Sequence, residues 1–401
     1  MKSFDEKIVE VETCKDVATK MSETHNSDIQ ITAKRSAHID IVKGWAMLTI
    51  IIFHANQSCV SGLWANLLGN HWNVAVFFII AGFFLKEEVL GQPPRFLKSK
   101  FKRLYVPATI IYALCVLLHN VFVNIGWYPL GGCHPYTGDP FILFGWKETC
   151  LGLAKVLAAG GSGELAMGAM WFIYSLLYAF VGMTILYGII CFICKNKENR
   201  LYLMTIILLL IASVSCVLSQ RFGITVSRFS TTATAMFLIW WGMIINKKLS
   251  WRYNKCWVLV IAILVFTHCV FMQRGGMTLA RNKYQDLILL TVGSTAVIYV
   301  WGFIGRKIEK SFIGRFLALL GRESLYLMAF HIIGFFICNS LLVKVGFYTV
   351  GDDMGYTYII GNNFSLLLMY VSFAIGTSFV LLYGYRGIKH FIISDYDKRR
   401  A

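Results

Sequence analysis

The chain has 401 residues, of which 57% are hydrophobic and only 15% are charged. A soluble domain carries about a quarter charged residues, so this composition excludes an ordinary soluble protein and indicates a polytopic membrane protein. The net charge of +17 does not indicate a nucleic-acid partner, because the basic residues are concentrated in alternate loops between apolar segments.

Residues 1–36 mix acidic and basic side chains without apolar periodicity, and we expect a flexible cytoplasmic tail there. Ten apolar segments follow, which predict an all-α integral membrane domain over residues 37–390 and a cytoplasmic tail over 391–401. The predicted transmembrane helices are 40–57, 72–90, 105–125, 168–194, 201–220, 228–246, 256–273, 284–304, 322–343 and 364–385.

The distribution of lysine and arginine predicts the orientation of these helices. The basic connections are 86–103, 195–200, 247–255, 306–315 and the chain from 386 onward. The intervening connections carry few basic residues, and 58–71 carries none. Because basic loops stay in the cytoplasm, both termini are predicted to be cytoplasmic. The expected location is the cell membrane, meaning the inner or plasma membrane, with the lipid bilayer as a partner.

The first predicted span contains three ionisable residues, Asp40, Lys43 and His54. An ionisable side chain within a span is costly and indicates a functional site by default. Eleven residues at roughly 100° each bring Lys43 and His54 to one helix face, about 16 Å apart along the axis. Asp40 falls near the same line. A lone histidine in a span has a structural role, as a hydrogen-bond partner of a neighbouring helix, about as often as a functional one. The charged residues Asp40 and Lys43 on the same helix face favour a functional role for His54.

The connection ahead of the third span carries Lys100 and Arg103, one helical turn apart. Such residues commonly set topology and bind anionic lipid. They are equally suited to the phosphates of a nucleotide-like ligand. The sequence has no glycine-rich phosphate loop, so side chains would have to hold a nucleotide.

The connection 126–165 is long for a membrane protein and rich in aromatic residues. Its segment 147–160, KETCLGLAKVLAAG, predicts a short helix that is either interfacial or re-entrant. The aromatic residues fit an ordered lid and a belt at the level of the lipid headgroups equally well.

A second intramembrane histidine, His331, lies in the ninth predicted span. Ser324 precedes it by seven residues and shares its helix face. His331 follows Arg322 by nine residues, and His54 follows Lys43 by eleven, so the two histidines should lie at matching depths. His331 alone could merely line a cavity or fix a partner. The remaining histidines make no metal-ligand spacing, and we expect no metal.

In their order and spacing, these elements resemble membrane-bound acyltransferase family 3, bacterial proteins that O-acylate sugars and envelope polymers. The matching residues are Asp40, Lys43 and His54; Phe77 to Phe84; Lys100, Arg103 and Pro107; Trp171 and Phe172; and Ser324 to His331. The resemblance covers about residues 37–390. Lysine replaces the arginine of the family pattern at positions 43 and 100, which keeps the charge and loses the bidentate fork. Alanine replaces serine at position 81.

The resemblance implies an enzyme that moves an acyl group, most often acetyl, from cytoplasmic acyl-CoA to a hydroxyl of a sugar, polysaccharide or glycolipid. The implied roles are catalysis for His54, Asp40 and His331, donor binding for Lys43, Lys100 and Arg103, and substrate binding for Trp171, Ser324 and Tyr326. His54 would act as a general base, or alternatively form an acyl-histidine. The chain would complete the transfer itself or pass the acyl group to a separate extracytoplasmic transferase.

A second class of function fits the same spans. Paired intramembrane histidines also suit a proton-coupled secondary transporter or a polysaccharide exporter, in which they would form a proton path. The sequence lacks a pair of helices broken by glycine or proline, and it has few carboxylates within spans, which counts against this alternative.

Overall fold

Helices are the expected outcome of these apolar segments, since backbone polar groups in hydrocarbon must be satisfied within the segment. The computed structural model describes residues 36–56, 72–134, 138–159, 163–249, 255–272, 279–347 and 364–398. Within these ranges the chain contains no β-strand, and its one extended pairing is an isolated bridge between Cys133 and Pro140. The described residues from 38 onward form one compact unit. The predicted tail over 1–36 lies almost wholly outside the described residues.

The described ranges consist mainly of helices. In chain order, the α-helices are α1 (Ala37–Asn56), α2 (Trp72–Phe83), α3 (Glu87–Leu90), α4 (Pro93–Lys100), α5 (Val106–Leu117), α6 (His119–Asn124), α7 (Trp146–Ala159), α8 (Trp171–Ile193), α9 (Lys197–Arg221), α10 (Ser227–Leu249), α11 (Cys256–Met272), α12 (Leu287–Ile308), α13 (Phe312–Arg322), α14 (Ser324–Lys344) and α15 (Phe364–Lys398). A π-helical turn spans Phe101–Tyr105, and 3-10 helices span Leu165–Met170 and Leu279–Arg281.

Seven helices of the described ranges are long and apolar enough to cross a membrane. They are Ala37–Ala55, Leu165–Ile193, Lys197–Arg221, Arg228–Asn246, Leu287–Ile308, Ser324–Lys344 and Phe364–Gly387. Helices α2 and α11 are apolar but shorter, and the third predicted span is divided between α5 and α6 at Leu118. The all-α, multi-pass architecture is therefore confirmed. The count of ten crossings and the cytoplasmic position of the termini stay predictions.

Helices α2 and α10 cross through a reciprocal pair of glycines. A Cβ atom on Gly82 would overlap the carbonyl oxygen of Ile239, and one on Gly242 would overlap the carbonyl oxygen of Ile79. Small residues at a crossing allow two backbones to approach closely, which is how helices in lipid gain dispersion contacts. This crossing fixes the position of α2. The ring centroid of Phe78 on α2 lies 4.6 Å from that of Phe172, one of the residues that carry the family resemblance.

The predicted helix of the long connection is present as α7, and it runs antiparallel to α5. Asn120, beyond one end of α5, makes two hydrogen bonds with the backbone of Phe144, just ahead of α7. At the other end of α5, the Tyr105 hydroxyl donates a hydrogen bond to the carbonyl oxygen of Leu157, in the last turn of α7, at 2.7 Å. The position of α7 relative to the bilayer, interfacial or re-entrant, stays a prediction.

Candidate active site

Helix α1 is held in a fixed rotation by an apolar stripe. Val42, Ala46 and Ile50 recur every four residues, and each is at most 6% exposed. Residues spaced in this way lie on one helix face, and that face packs against the other helices. Lys43 and His54 lie beside the stripe and are partly exposed. The burial of the stripe therefore determines the direction in which the two ionisable side chains point.

The Lys43 ammonium lies 3.8 Å from the carboxylate of Asp40, one helical turn away. Their side chains are 21% and 9% exposed, so the pair is largely removed from water. Asp40 precedes His54 by fourteen residues, which is about 21 Å along a helix axis. The carboxylate therefore orients Lys43 and does not touch the His54 ring. A part for Asp40 in catalysis stays a prediction.

The structure brings the two intramembrane histidines together. The ring centroids of His54 and His331 lie 5.3 Å apart. His331 is completely buried, and its Nδ1 lies 2.8 Å from the carbonyl oxygen of Leu327. Because a carbonyl oxygen only accepts, Nδ1 carries a proton and Nε2 of the neutral ring carries the lone pair. That Nε2 atom is buried and has no hydrogen-bond partner among the described residues.

A lone pair that is buried without a partner has a cost in a folded protein, so it calls for an explanation. His331 Nε2 is an acceptor on a fixed imidazole, beside a second imidazole that is partly exposed. Such an arrangement accepts a proton or a hydrogen bond from a ligand that enters between helices. It is a chemically competent place for general base catalysis.

The distance between the two histidines depends on a close crossing between α1 and α13. This crossing lies near the N-terminal ends of the helices that carry His54 and His331. A Cβ atom on Gly44 would overlap the carbonyl oxygen of Leu317, and one on Gly321 would overlap that of Asp40. Gly44 lies in α1, and Gly321 lies at the end of α13, directly ahead of the helix that carries His331. The absence of side chains at both positions lets α1 contact α13 backbone to backbone.

The predicted phosphate-binding residues lie on an irregular stretch of helix. Arg103 is exposed within the π-helical turn Phe101–Tyr105, in which the N–H of Val106 donates to the carbonyl oxygen of Phe101. Pro107 follows this turn, and proline has no N–H and displaces the carbonyl four residues earlier. A π turn accommodates that displacement, and such turns are frequent at functional sites.

Lys100 is partly buried against aromatic rings. Its ammonium lies 4.4 Å from the ring centroid of Phe180 and 5.4 Å from that of Phe96, a cation–π arrangement. Burial, and secondarily the charge of Arg103, lowers the pKa of Lys100 from its ordinary range. The aromatic rings thus hold the ammonium one turn from the Arg103 guanidinium and keep the two cations in one region.

Comparison with known families identifies the chain. The model of the acyltransferase domain of acyltransferase family 3 matches residues 36–383, which is most of the chain. The chain belongs to acyltransferase family 3. No curated protein and no solved structure matches it. It is therefore a membrane acyltransferase, an enzyme that transfers acyl groups.

In this acyltransferase the predicted substrate-binding residues lie at two places. Trp171 is partly exposed at the start of α8, and its ring centroid lies 6.2 Å from that of Phe172. Ser324 and Tyr326 are partly exposed in the first turn of α14. The Tyr326 ring lies 6.0 Å from that of Tyr385. Tyr326 precedes His331 by five residues, about 7.5 Å along the axis, so it lies toward the predicted cytoplasmic end.

The first turn of α14 is attached to α15 by an ion pair. Glu323, the residue ahead of α14, lies 2.6 Å from the guanidinium of Arg386. The same guanidinium lies 5.9 Å from the ring centroid of Tyr326. This pair fixes the predicted cytoplasmic ends of both helices and the position of Tyr326 between them.

The acyltransferase also contains a buried hydrogen-bonded pair of polar side chains that the sequence did not predict. His119 Nδ1 lies 2.9 Å from a carboxylate oxygen of Glu164, and both side chains are at most 5% exposed. Nothing in the spacing of residues 119 and 164 links them, because they meet only when the long connection folds. A single acidic residue after the glycines of GGSGE was the one available signal.

Among the described residues, no cluster of three or more histidine, cysteine, aspartate or glutamate side chains could bind a metal ion. The chemistry that the described site offers is that of imidazole, ammonium and guanidinium groups.

Proposed function

We propose that this acyltransferase moves an acyl group, most simply acetyl, from cytoplasmic acyl-CoA to a hydroxyl of a sugar, polysaccharide or glycolipid, with His54 as the general base. The enzyme would act in the cell membrane. The observation that carries the proposal is the pairing of His54 with His331 at 5.3 Å, within a membrane protein of acyltransferase family 3.

The donor half of the proposal rests on three cations. Lys43, Lys100 and Arg103 belong to the segments in which the charge pattern predicts a cytoplasmic location. Phosphate groups are held well by such residues, and guanidinium binds them with two parallel hydrogen bonds. Lys43 and His54 lie on the same helix, α1, about 16 Å apart along its axis. A CoA held by its phosphates could thus extend its thioester toward the histidines.

The transfer itself needs one base. His54 takes the proton of the acceptor hydroxyl while the oxygen attacks the thioester carbonyl carbon, forming a tetrahedral intermediate. The carbon–sulfur bond then breaks, and the CoA thiolate receives the proton from the His54 imidazolium. Protons and charges balance without a further reactant. A positioned general base of this kind contributes roughly 10²- to 10⁴-fold to the rate.

His331 would assist as a fixed acceptor. Its Nδ1 proton is engaged by the carbonyl oxygen of Leu327, which leaves Nε2 to accept a hydrogen bond from the ring N–H of His54. The other nitrogen of a neutral His54 then carries the lone pair that takes the proton of the acceptor hydroxyl. Attack of His54 itself on the thioester, giving an acyl-histidine, is the alternative sequence of steps.

The donor site is tested by calorimetry with acetyl-CoA and the purified protein in detergent. The wild type is expected to bind, and Lys43→Ala combined with Arg103→Ala is expected to lose binding. Lys102→Ala is the matched control, because Lys102 is an exposed lysine of the same π turn. Failure of the wild type to bind acetyl-CoA or longer acyl-CoAs would contradict the proposal.

A further inference from the structure

Glu164 lies at the centre of a buried hydrogen-bond network that joins three parts of the chain. His119, at the start of α6, places Nδ1 2.9 Å from Oε1 of Glu164 and Nε2 2.9 Å from the carbonyl oxygen of Ile142. The Tyr128 hydroxyl makes a side-chain hydrogen bond with Glu164 and accepts the N–H of Ala166 at 3.0 Å. Glu164 is thus held by two side chains that lie far from it in the sequence.

The network is removed from water. His119, Tyr128 and Glu164 are each at most 4% exposed. The Phe144 ring stacks on that of His119 with centroids 3.5 Å apart, and the Phe141 ring stacks on that of Tyr128 at 5.0 Å. Burial, followed by the Glu164 carboxylate, raises the pKa of Tyr128 well above its ordinary range, so the phenol keeps the proton that it donates. Separating these groups would leave each of them buried and unsatisfied, which is costly.

The segment that the network holds is the 3-10 helix Leu165–Met170, which follows Glu164 directly. Except for Gly168, its residues are at most 3% exposed. The Cβ position of Gly168 lies 3.7 Å from the side chain of Ile332, the neighbour of His331 on α14. Because packed interiors transmit strain, a displacement of this 3-10 helix would move the turn of α14 that carries His331.

The network also reaches α14 through Trp127, the residue ahead of Tyr128. The Trp127 ring stacks on that of Phe336 at 5.2 Å, and its Nε1 donates a hydrogen bond to the Ser340 hydroxyl at 2.9 Å. The Tyr128 ring lies 5.9 Å from that of Phe336. Both contacted residues follow His331, so they hold the half of α14 beyond the histidine. The half before it is held by the glycine crossing between α1 and α13.

We propose that the network of His119, Tyr128 and Glu164 positions the histidine pair. Glu164 joins the other two side chains, and all three act on His331 through the contacts with α14. The inference rests on the proposed function, in which His331 and His54 share the transfer. Their ring centroids are 5.3 Å apart, and a displacement near 1 Å at reacting groups can lower a rate by up to about 10²-fold. In this role Glu164 is a hydrogen-bonding centre that an amide of the same shape can replace.

The test is solid-state NMR of the enzyme in lipid bilayers, prepared with isotope-labelled histidine. The ring signals of His54 and His331 are assigned by their loss in His54→Ala and His331→Asn. Each ring lies in the ring current of the other, so these signals depend on the separation of the two rings. Glu164→Leu, which removes both hydrogen bonds of the network centre, should shift both signals. Tyr128→Phe should shift them in the same direction.

Glu164→Gln is the rescue variant. Its amide N–H can donate to Nδ1 of His119 while its oxygen accepts from the Tyr128 hydroxyl, so both histidine signals should stay in place. Tyr178→Phe is the matched control, because the Tyr178 hydroxyl donates to the carbonyl oxygen of Ala158, in the same long connection but outside the network. This control should also leave the histidine signals in place.

Unmoved histidine signals in a folded Glu164→Leu would overturn the inference. A Glu164→Gln variant or a Tyr178→Phe control that shifts the signals as far as Glu164→Leu does would also overturn it. Where Glu164→Leu does not fold, Tyr128→Phe decides, since it keeps the ring and loses only the hydroxyl. Calorimetry with acetyl-CoA on the same preparations tests the proposed function separately, because a wild type that fails to bind it contradicts that function and leaves the NMR result standing.

Discussion

Gly44 and Gly321 lie against each other so closely that neither tolerates a side chain. The Cβ position of Gly321 is 2.8 Å from the backbone nitrogen of Gly44, and that of Gly44 is 3.1 Å from the nitrogen of Gly321. The neighbouring atoms are backbone, which cannot move aside as a flexible side chain would. Because the next helix carries His331 and α1 carries His54, this crossing controls the distance between the two imidazoles.

Gly44→Ala or Gly321→Ala is expected to lower kcat by about 10-fold or more, because a displacement near 1 Å at reacting groups can have effects of up to about 10². The measurement is acyl transfer by purified variants matched for thermal stability. Gly188→Ala is the control, since its Cβ would meet no atom within 4 Å and alanine favours a helix by about 1 kcal/mol. Full activity of Gly44→Ala would show that the crossing does not position the histidines.

His331→Asn should lower kcat by roughly 10²-fold, at the low end of general base effects, without weakening acetyl-CoA binding. It removes the imidazole acceptor while leaving a polar group near Leu327. Steady-state kinetics and calorimetry on one preparation separate the two quantities. His268→Asn is the matched control, because His268 lies exposed on α11. A loss of donor binding in His331→Asn, with kcat kept, would assign His331 to the donor site instead.

Donor affinity should depend on pH through Lys100. Burial and Arg103 lower the pKa of this ammonium below the ordinary lysine value of about 10.4. Phosphate binding favours the charged form, so affinity is full below the lowered pKa and declines as pH rises through it. Lys100→Arg keeps its charge throughout and should remove the decline.

The measurement is the Kd of desulfo-CoA between pH 7.5 and 10, since this analogue has no thioester to hydrolyse. Lys102→Arg, at an exposed position of the π turn, should keep the wild-type decline. Parallel curves for the wild type and Lys100→Arg would show that Lys100 does not contact the phosphates.

Pro107→Ala should weaken donor binding by about 10-fold, the effect of losing one charge-assisted hydrogen bond, while the protein stays folded. Alanine restores an N–H at position 107, which lets the π turn revert to an α-helix. One residue fewer per turn rotates Arg103 by roughly 100° about the axis. Acetyl-CoA calorimetry checks this, and unchanged affinity would mean that the π turn does not position Arg103.

Much of the helical scaffold was predictable from sequence, because apolar length is a direct requirement of the bilayer. The pairing of His54 with His331 agrees with their expected matching depths, which follow from their distances to Lys43 and Arg322. Sequence spacing measures position along one helix well. It does not say which helices are neighbours, and in this fold that depends on the glycine crossings.

Other features depend on contacts across the chain. The π turn ahead of Pro107 needs backbone geometry, although a proline inside an apolar helix was a usable signal. The predicted span 72–90 is not one continuous helix. Helix α2 ends at Phe83, and the separate short helix α3 follows. The pairing of His119 with Glu164 could not be predicted, because no residue near His119 in the sequence indicates which distant residue it contacts.

The most direct test of the account is the rate of acyl transfer from acetyl-CoA by His54→Ala, compared with the wild type at saturating donor. The account predicts a loss of roughly 10²-fold or more, with the acetyl-CoA Kd unchanged by calorimetry. A His54→Ala enzyme that transfers acyl groups at the wild-type rate would contradict His54 as the base and, with it, the central role of the histidine pair.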